Sequence, residues 1–270
     1  MLVAHIILTS MPIKVMGKTS RLPCVSTLVE NGKNLILFDT GLFGQTDLLS
    51  ALAKLGFSAG DITHIFNTHF HDDHAGGNEL FKDTPKFANL KEFRFSLRWL
   101  IDFTEAKDKF RFMKDSFPYL DDSIIIDRRD SLIEHSKRVL KKWENTDDNN
   151  FRIPTEKNMR SNGYIWIDEG AKIPECISPI ETPGHTKHHT SYVVKGKTTN
   201  LIIAGDALSR RTAASSVTIL DEPHIDLKTH GESVKKLLSI SGIIVPGHDR
   251  PFGNFTGSGP KVKVGRRMEF

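Results

Sequence analysis

The segment Thr68-His69-Phe70-His71-Asp72-Asp73-His74-Ala75-Gly76-Gly77 sets three histidines and Asp73 within one short stretch. A lone histidine is usually a satisfied core or surface residue. Three together repel when protonated and need hydrogen-bond partners when buried. A divalent cation resolves both problems, because neutral imidazole and carboxylate are its preferred ligands. His69 and His71 stand two apart, so in extended backbone they project to the same side and can share one ion. Asp73 and His74 follow a turn and can face a second ion. Gly76 and Gly77 allow close backbone approach where the chain enters a helix.

Such a cluster needs elements that hold it. The apolar run at residues 62–67 reads as a strand feeding the histidines, and three more segments repeat the plan. Ile180-Glu181-Thr182-Pro183-Gly184-His185, Leu201-Ile202-Ile203-Ala204-Gly205-Asp206 and Ile243-Ile244-Val245-Pro246-Gly247-His248 each run from apolar strand through glycine to a metal-binding side chain. Strand ends are rigid enough to meet the tolerance that coordination demands. Further strands are expected at residues 3–8, 25–29, 35–38 and 192–194. Helical spacing appears at Leu48, Leu49, Leu52 and Leu55, which Gly56 stops, and at residues 229–240. This order suits mixed sheets covered by helices, an α/β class. Residues 82–161 stand apart as a charge-rich helical insertion. Phe93, Phe95, Leu97, Trp99, Leu100 and Phe103 suggest one amphipathic helix, and Phe110, Phe112, Met113 and Phe117 suggest another. Leu132, Ile133, Val139, Leu140 and Trp143 suggest a third, and residues 145–150 read as a loop. The whole of residues 1–270 reads as one domain carrying this insertion, which is expected to wall a cleft and set substrate size.

Composition narrows the class without naming a partner. The 270 residues are 38% hydrophobic and 26% charged, as in ordinary globular proteins, so fibrous and disordered readings drop out. Cys24 and Cys176 are too few for a disulfide framework or a cysteine zinc cluster. No apolar run approaches a membrane span, and the first eight residues lack the features of a signal peptide, so a cytoplasmic location is expected. The net charge of +4 is concentrated after residue 255, where Lys261, Lys263, Arg266 and Arg267 face one anion, Glu269. A solvated basic tail is the expectation there. The rest of the chain is near neutral, so charge gives no support for a nucleic-acid partner; no membrane is expected to be involved, and a homodimer is compatible with the chain.

Asp39-Thr40-Gly41, the His69–His74 cluster, Thr182-Pro183-Gly184-His185, Gly205-Asp206 and Pro246-Gly247-His248 together resemble the metallo-β-lactamase superfamily of dinuclear metal hydrolases. The resemblance implies an αβ/βα sandwich with its metals at one edge of two sheets. It assigns His69, His71 and His185 to metal 1 and Asp73, His74 and His248 to metal 2, with Asp206 bridging. Asp39 would orient a ligand histidine through a hydrogen bond. Two divalent ions, zinc by preference with iron or manganese as alternatives, would share a hydroxide that attacks the substrate. Asp73 would both ligate metal 2 and hydrogen-bond that nucleophile, which makes it the catalytic carboxylate. His64, His188, His189, His224 and His230 match no ligand position and read as ordinary histidines.

Three activities follow from the resemblance. Hydrolysis of a small ester, lactone or thioester is favoured, because the Val245–Asp249 segment and the paired glycines look like the quorum-quenching lactonases and glyoxalase II. Many lactonases carry a tyrosine two residues after the bridging aspartate; Leu208 stands there in this chain. A phosphodiester-cleaving nuclease is the alternative, similar to transfer-RNA 3′ processing enzymes or to the metallo-β-lactamase domain-containing protein 1 group. A near-neutral body charge weighs against it. A non-catalytic metal-binding module is the third, disfavoured because every ligand position is filled.

Overall fold

A computed structural model describes residues 2–15, 18–44, 46–144, 155–214, 223–255 and 263–270. The expected loop at residues 145–150 and the side chains of Val139, Leu140 and Trp143 lie outside the described residues. The strands are β1 (Val3–Val15), β2 (Lys18–Asn31), β3 (Asn34–Phe38), β4 (His64–Phe66), β5 (Lys86–Ala88), β6 (Tyr164–Trp166), β7 (Ile177–Glu181), β8 (Thr190–Lys195), β9 (Asn200–Gly205), β10 (Gly242–Pro246), β11 (Phe252–Asn254) and β12 (Arg267–Glu269). The α-helices are α1 (Asp47–Lys54), α2 (Asp72–Ala75), α3 (Leu90–Glu105), α4 (Lys109–Ser116), α5 (Asp122–Glu144), α6 (Glu156–Ser161) and α7 (Leu227–Leu238).

One sheet runs in the order β12-β1-β2-β3-β4-β5-β6 and the other β11-β10-β9-β8-β7. Their inner faces meet in a core of Ile6, Val25, Val29, Ile36, Phe38 and Phe66 against Tyr192, Val194, Leu201, Ile203, Ile243 and Val245. The alternate residues of the same strands face outward and are covered too. Leu28, Leu37 and Ile65 pack on Leu48 and Leu52 of α1. Ile202, Ala204 and Ile244 pack on Val234 and Leu237 of α7. Sheets buried on both faces explain why the central strands read as continuous apolar runs rather than alternating ones. The expected αβ/βα sandwich is the observed architecture.

Two regions differ from the sequence reading. Residues 86–88 are a strand of the first sheet, parallel to β4 and β6, so the helical segment proper is the β5-to-β6 crossover that starts at Leu90. A strand of three residues carries too little periodicity to be read from sequence. At the other end, the last residues of the basic tail form an edge strand, β12, antiparallel to β1, while Lys263, Arg266 and Arg267 are exposed as expected and residues 256–262 lie outside the described residues. Met268 and Phe270 alternate with Arg267 and Glu269, and both apolar side chains are buried in the core. Among the described residues no helix is long and apolar enough to cross a membrane.

Candidate metal centre

The histidine cluster leaves β4 in extended backbone and enters α2 at His71, the residue just before the helix. The turn is pinned from below by Asp39, which stands at φ 54, unusual for a residue with a side chain. Its carboxylate accepts from the Thr68 backbone N–H at 2.9 Å, from the Thr68 hydroxyl at 2.9 Å and from His74 Nδ1 at 2.8 Å. That bond fixes the His74 tautomer and turns Nε2 toward the site. Gly77 and Gly76 are required because the 40–43 segment presses on them: a Cβ would lie 2.2 Å from Thr40 O at Gly77 and 2.4 Å from Phe43 N at Gly76.

The other sequence-marked residues arrive from the second sheet, each just past a strand: His185 after β7, Asp206 after β9 and His248 after β10. All seven are brought to one edge of the sandwich. His69, His71, His185 and Asp206 form one group of potential ligands, and His74, Asp206 and His248 another. His185 Nε2 lies 3.0 Å from His71 Nδ1 and 3.3 Å from Asp206 Oδ2. His74 Nε2 lies 3.3 Å from Asp206 Oδ1 and 3.7 Å from Asp73 Oδ2. His248 Nε2 lies 3.1 Å from Asp206 Oδ2 and 3.4 Å from Asp73 Oδ2.

These separations suit metal ions. Donors about 2.0–2.1 Å from a tetrahedral ion stand roughly 3.3–3.4 Å apart, close to the spacings of the two groups. Three donors are fully shielded from water and make no hydrogen bond: His69 Nε2, His74 Nε2 and Asp206 Oδ1, the last two facing each other at 3.3 Å. A buried polar atom without a partner costs about 1–3 kcal/mol, and three converging on one space point to something that binds them.

Electrostatics divide the site. Burial, helped by the neighbouring His74 and His71, pushes His69 well below the usual histidine range. Burial likewise holds His185 down, in spite of Asp206. Burial opposes charge on His74 and His248 as well, but the Asp206 and Asp73 carboxylates outweigh it and raise both well above the usual range. For Asp206, burial works upward, and His248, His74 and His185 overcome it to hold the carboxyl well below the usual carboxylate range. An ion held by His74 and His248 would have to displace protons there, whereas His69 and His185 would meet it as neutral rings.

Helper residues that the sequence reading treated as ordinary surround these groups. His189 Nε2 accepts the Asp206 backbone N–H at 3.2 Å, and its Nδ1 meets the Thr182 hydroxyl at 2.9 Å. Burial takes its pKa down to about 3, so the neutral ring is a fixed prop for Asp206. His224 presents Nδ1 to His185 Nδ1 at 3.2 Å and stacks on His230 with ring centroids 3.9 Å apart. The Tyr119 hydroxyl clamps the His224 backbone, accepting from its N–H and donating to its carbonyl. Glu92, at the start of α3, is buried and accepts from the backbone N–H groups of His188 and Phe70 and from the Ser96 hydroxyl. It thus ties the loop of His69 and His71 to the loop of His185. His64, paired with Thr63, and His188, whose backbone N–H donates to Glu92 and whose ring lies edge-on to Phe95, fit the ordinary reading. No local signal marks Glu92, His189 or His224, because their partners are distant in sequence.

A profile of the Metallo-beta-lactamase superfamily matches residues 19–248. The chain belongs to the metallo-β-lactamase superfamily. A metallo-beta-lactamase domain-containing protein 1 from Xenopus laevis is 22% identical over 227 residues, covering 84% of this chain and 70% of that protein. An N-acyl homoserine lactonase from Bacillus thuringiensis is 30% identical over 105 residues, covering 30% of this chain and 42% of the lactonase. Among solved structures, the dizinc quorum-quenching lactonase AidC superposes with a TM-score of 0.61 at 23% identity, covering 86% of this chain and 74% of that one. An N-acyl homoserine lactone hydrolase superposes with a TM-score of 0.58 at 18% identity, covering 92% and 93%. At these identities the structural likeness establishes the fold. The family is one of metallo-hydrolases, and the donor set at the sheet edge is of the kind such hydrolases use.

Proposed function

We propose that this chain is a dinuclear metallo-hydrolase acting on a small ester, lactone or thioester. The observation that carries the reading is Asp206: one buried carboxylate faces His74 through one oxygen and His248 and His185 through the other, so a single side chain belongs to both ligand groups. In this reading His69, His71 and His185 hold the first ion, Asp73, His74 and His248 the second, and Asp206 spans them. Zinc suits the nitrogen and carboxylate donors, and iron or manganese fit the same set. When bound, the ions supply Lewis acidity and make water a nucleophile at neutral pH.

The protein's own groups supply orientation and proton handling. Asp39 keeps Nδ1 of His74 occupied, the Pro23 carbonyl accepts from Nδ1 of His248 at 2.6 Å, and His224 meets Nδ1 of His185. All three rings thereby present Nε2 inward. Asp73 is the most exposed of the acidic donors, at 12% against 5% for Asp206, so its free oxygen is the one placed to accept a proton from an incoming nucleophile. Likeness to lactonases in sequence and fold supports a small acyl substrate. Leu208 is fully buried, so substrate contact at that position comes from elsewhere, and the crossover helices are the nearest candidates.

The test is an assay of metal-loaded protein on lactones, thioesters, phosphodiesters and single-stranded RNA. Hydrolysis of the acyl substrates, lost in Asp73→Asn, supports the proposal. Cleavage confined to phosphodiesters would replace it with the nuclease reading.

A further inference from the structure

The second ligand side of the centre carries a donor that the seven-residue set leaves out. Cys24 lies on β2, fully buried, and its Sγ, a carboxylate oxygen of Asp73 and a ring nitrogen of His248 all lie within 4.8 Å of one another. The backbone fixes that position. Val25 N–H donates to Gly247 O at 3.0 Å, and His248 Nδ1 donates to Pro23 O at 2.6 Å. Residues 23–25 are thus sewn to the loop that delivers His248. The contact of the thiol with its own strand is weak, 3.9 Å to Leu22 O. A second observation points into the same space: His74 Nε2, wholly buried and making no hydrogen bond, lies 3.7 Å from the same Asp73 Oδ2 and 3.3 Å from Asp206 Oδ1. A small apolar residue would close this wall equally well. A sulfur facing an aspartate and a histidine is instead a soft donor beside two borderline ones.

We infer that Cys24 is a thiolate ligand on the His74–His248 side of the centre, which makes the two ions chemically unlike. The inference rests on the dinuclear reading above. On loading, the S–H bond breaks, a sulfur–metal bond forms and the proton leaves to solvent; no electron changes hands. The side with sulfur favours zinc or cobalt, and the side with His69, His71 and His185 has nitrogen and oxygen donors only.

Cobalt reports sulfur directly through a thiolate-to-metal charge-transfer band in the near ultraviolet. The chain has two cysteines, and Cys176 is engaged elsewhere, with Asn31, so the assignment is unambiguous. The experiment loads wild type, Cys24→Ala, Cys24→Ser and Cys176→Ser with Co2+ and follows spectrum and stoichiometry together. The band should appear with the equivalent that fills the sulfur side, survive in Cys176→Ser and vanish in both Cys24 variants. Those variants should bind that equivalent about tenfold or more weakly while keeping the other, which also shows that they fold. Two equivalents bound by wild type with no band would overturn the inference and leave the dinuclear reading standing. A band that persists in Cys24→Ala would do the same. Failure of wild type to bind cobalt at all would remove both.

Discussion

Asp206 and His224 show what a single side chain does at this site and how differently the two are marked in sequence. Asp206 follows an apolar strand and a glycine, a local pattern that survives because a rigid strand end is what a ligand needs. His224 has no such flank; its role comes from a hydrogen bond to His185, 39 residues away. Seven potential ligands were therefore legible, and the props His189, His224 and Glu92 were not. At this scale, Asp206→Asn should weaken retention of both ions by about 10–100-fold or more, because no other carboxylate touches both groups. Equilibrium dialysis of the variant checks this, and unchanged retention of two ions would refute it. His224→Ala should loosen only the ion held by His185, by about tenfold, with His224→Asn restoring part of the loss through its amide. Equal weakening at both sites in that variant would show that His224 supports the fold rather than one ligand.

The elements show why the crossover helices belong to the site and do not merely roof it. Glu92 on α3 reaches the two loops that carry His71 and His185, and Tyr119 after α4 holds the backbone of His224, whose ring faces His185. Replacing residues 91–150 by a short linker should consequently lower affinity at the His185 side as well as alter substrate preference. Glu92 also gives the helix a pH signature. Burial raises its carboxyl from 4.5 to about 7, against the hydrogen bonds it accepts. The folded state therefore holds a proton that the unfolded state has released, so stability falls as pH rises from about 4.5 to about 7 and is flat above. The difference is on the order of 3 kcal/mol. Denaturant unfolding of metal-free wild type and Glu92→Gln across that range should differ by this contribution, wild type losing more stability with rising pH than the variant. Identical slopes would mean Glu92 is not the group responsible. The elements also mark where sequence reading stops. The long apolar strands and α7 were legible because they span several turns or repeats, whereas β5 and β12 gain their identity only from the neighbouring strands that they pair with.

At the scale of the whole molecule, the candidate centre joins the two sheets. His69, His71, Asp73 and His74 descend from β4, and His185, Asp206 and His248 from β7, β9 and β10. Ions held between them would stabilise the sandwich by about 2.7 kcal/mol per site when free metal is 100 times Kd. For a chain of this size, stripping both should lower Tm by roughly 10 °C or more. Calorimetry before and after chelation checks it, and an unchanged Tm would show that the sheets do not depend on the ions. The fold and the ligand edge could be read together because each strand end announces its own residue, yet the substrate could not, since no local pattern names it. The most direct test of the central claim is metal stoichiometry by plasma mass spectrometry, on protein stripped with chelator and reloaded in turn with zinc, iron or manganese. Two ions per chain with at least one of these metals is the expected result; one ion or none with all three would contradict it.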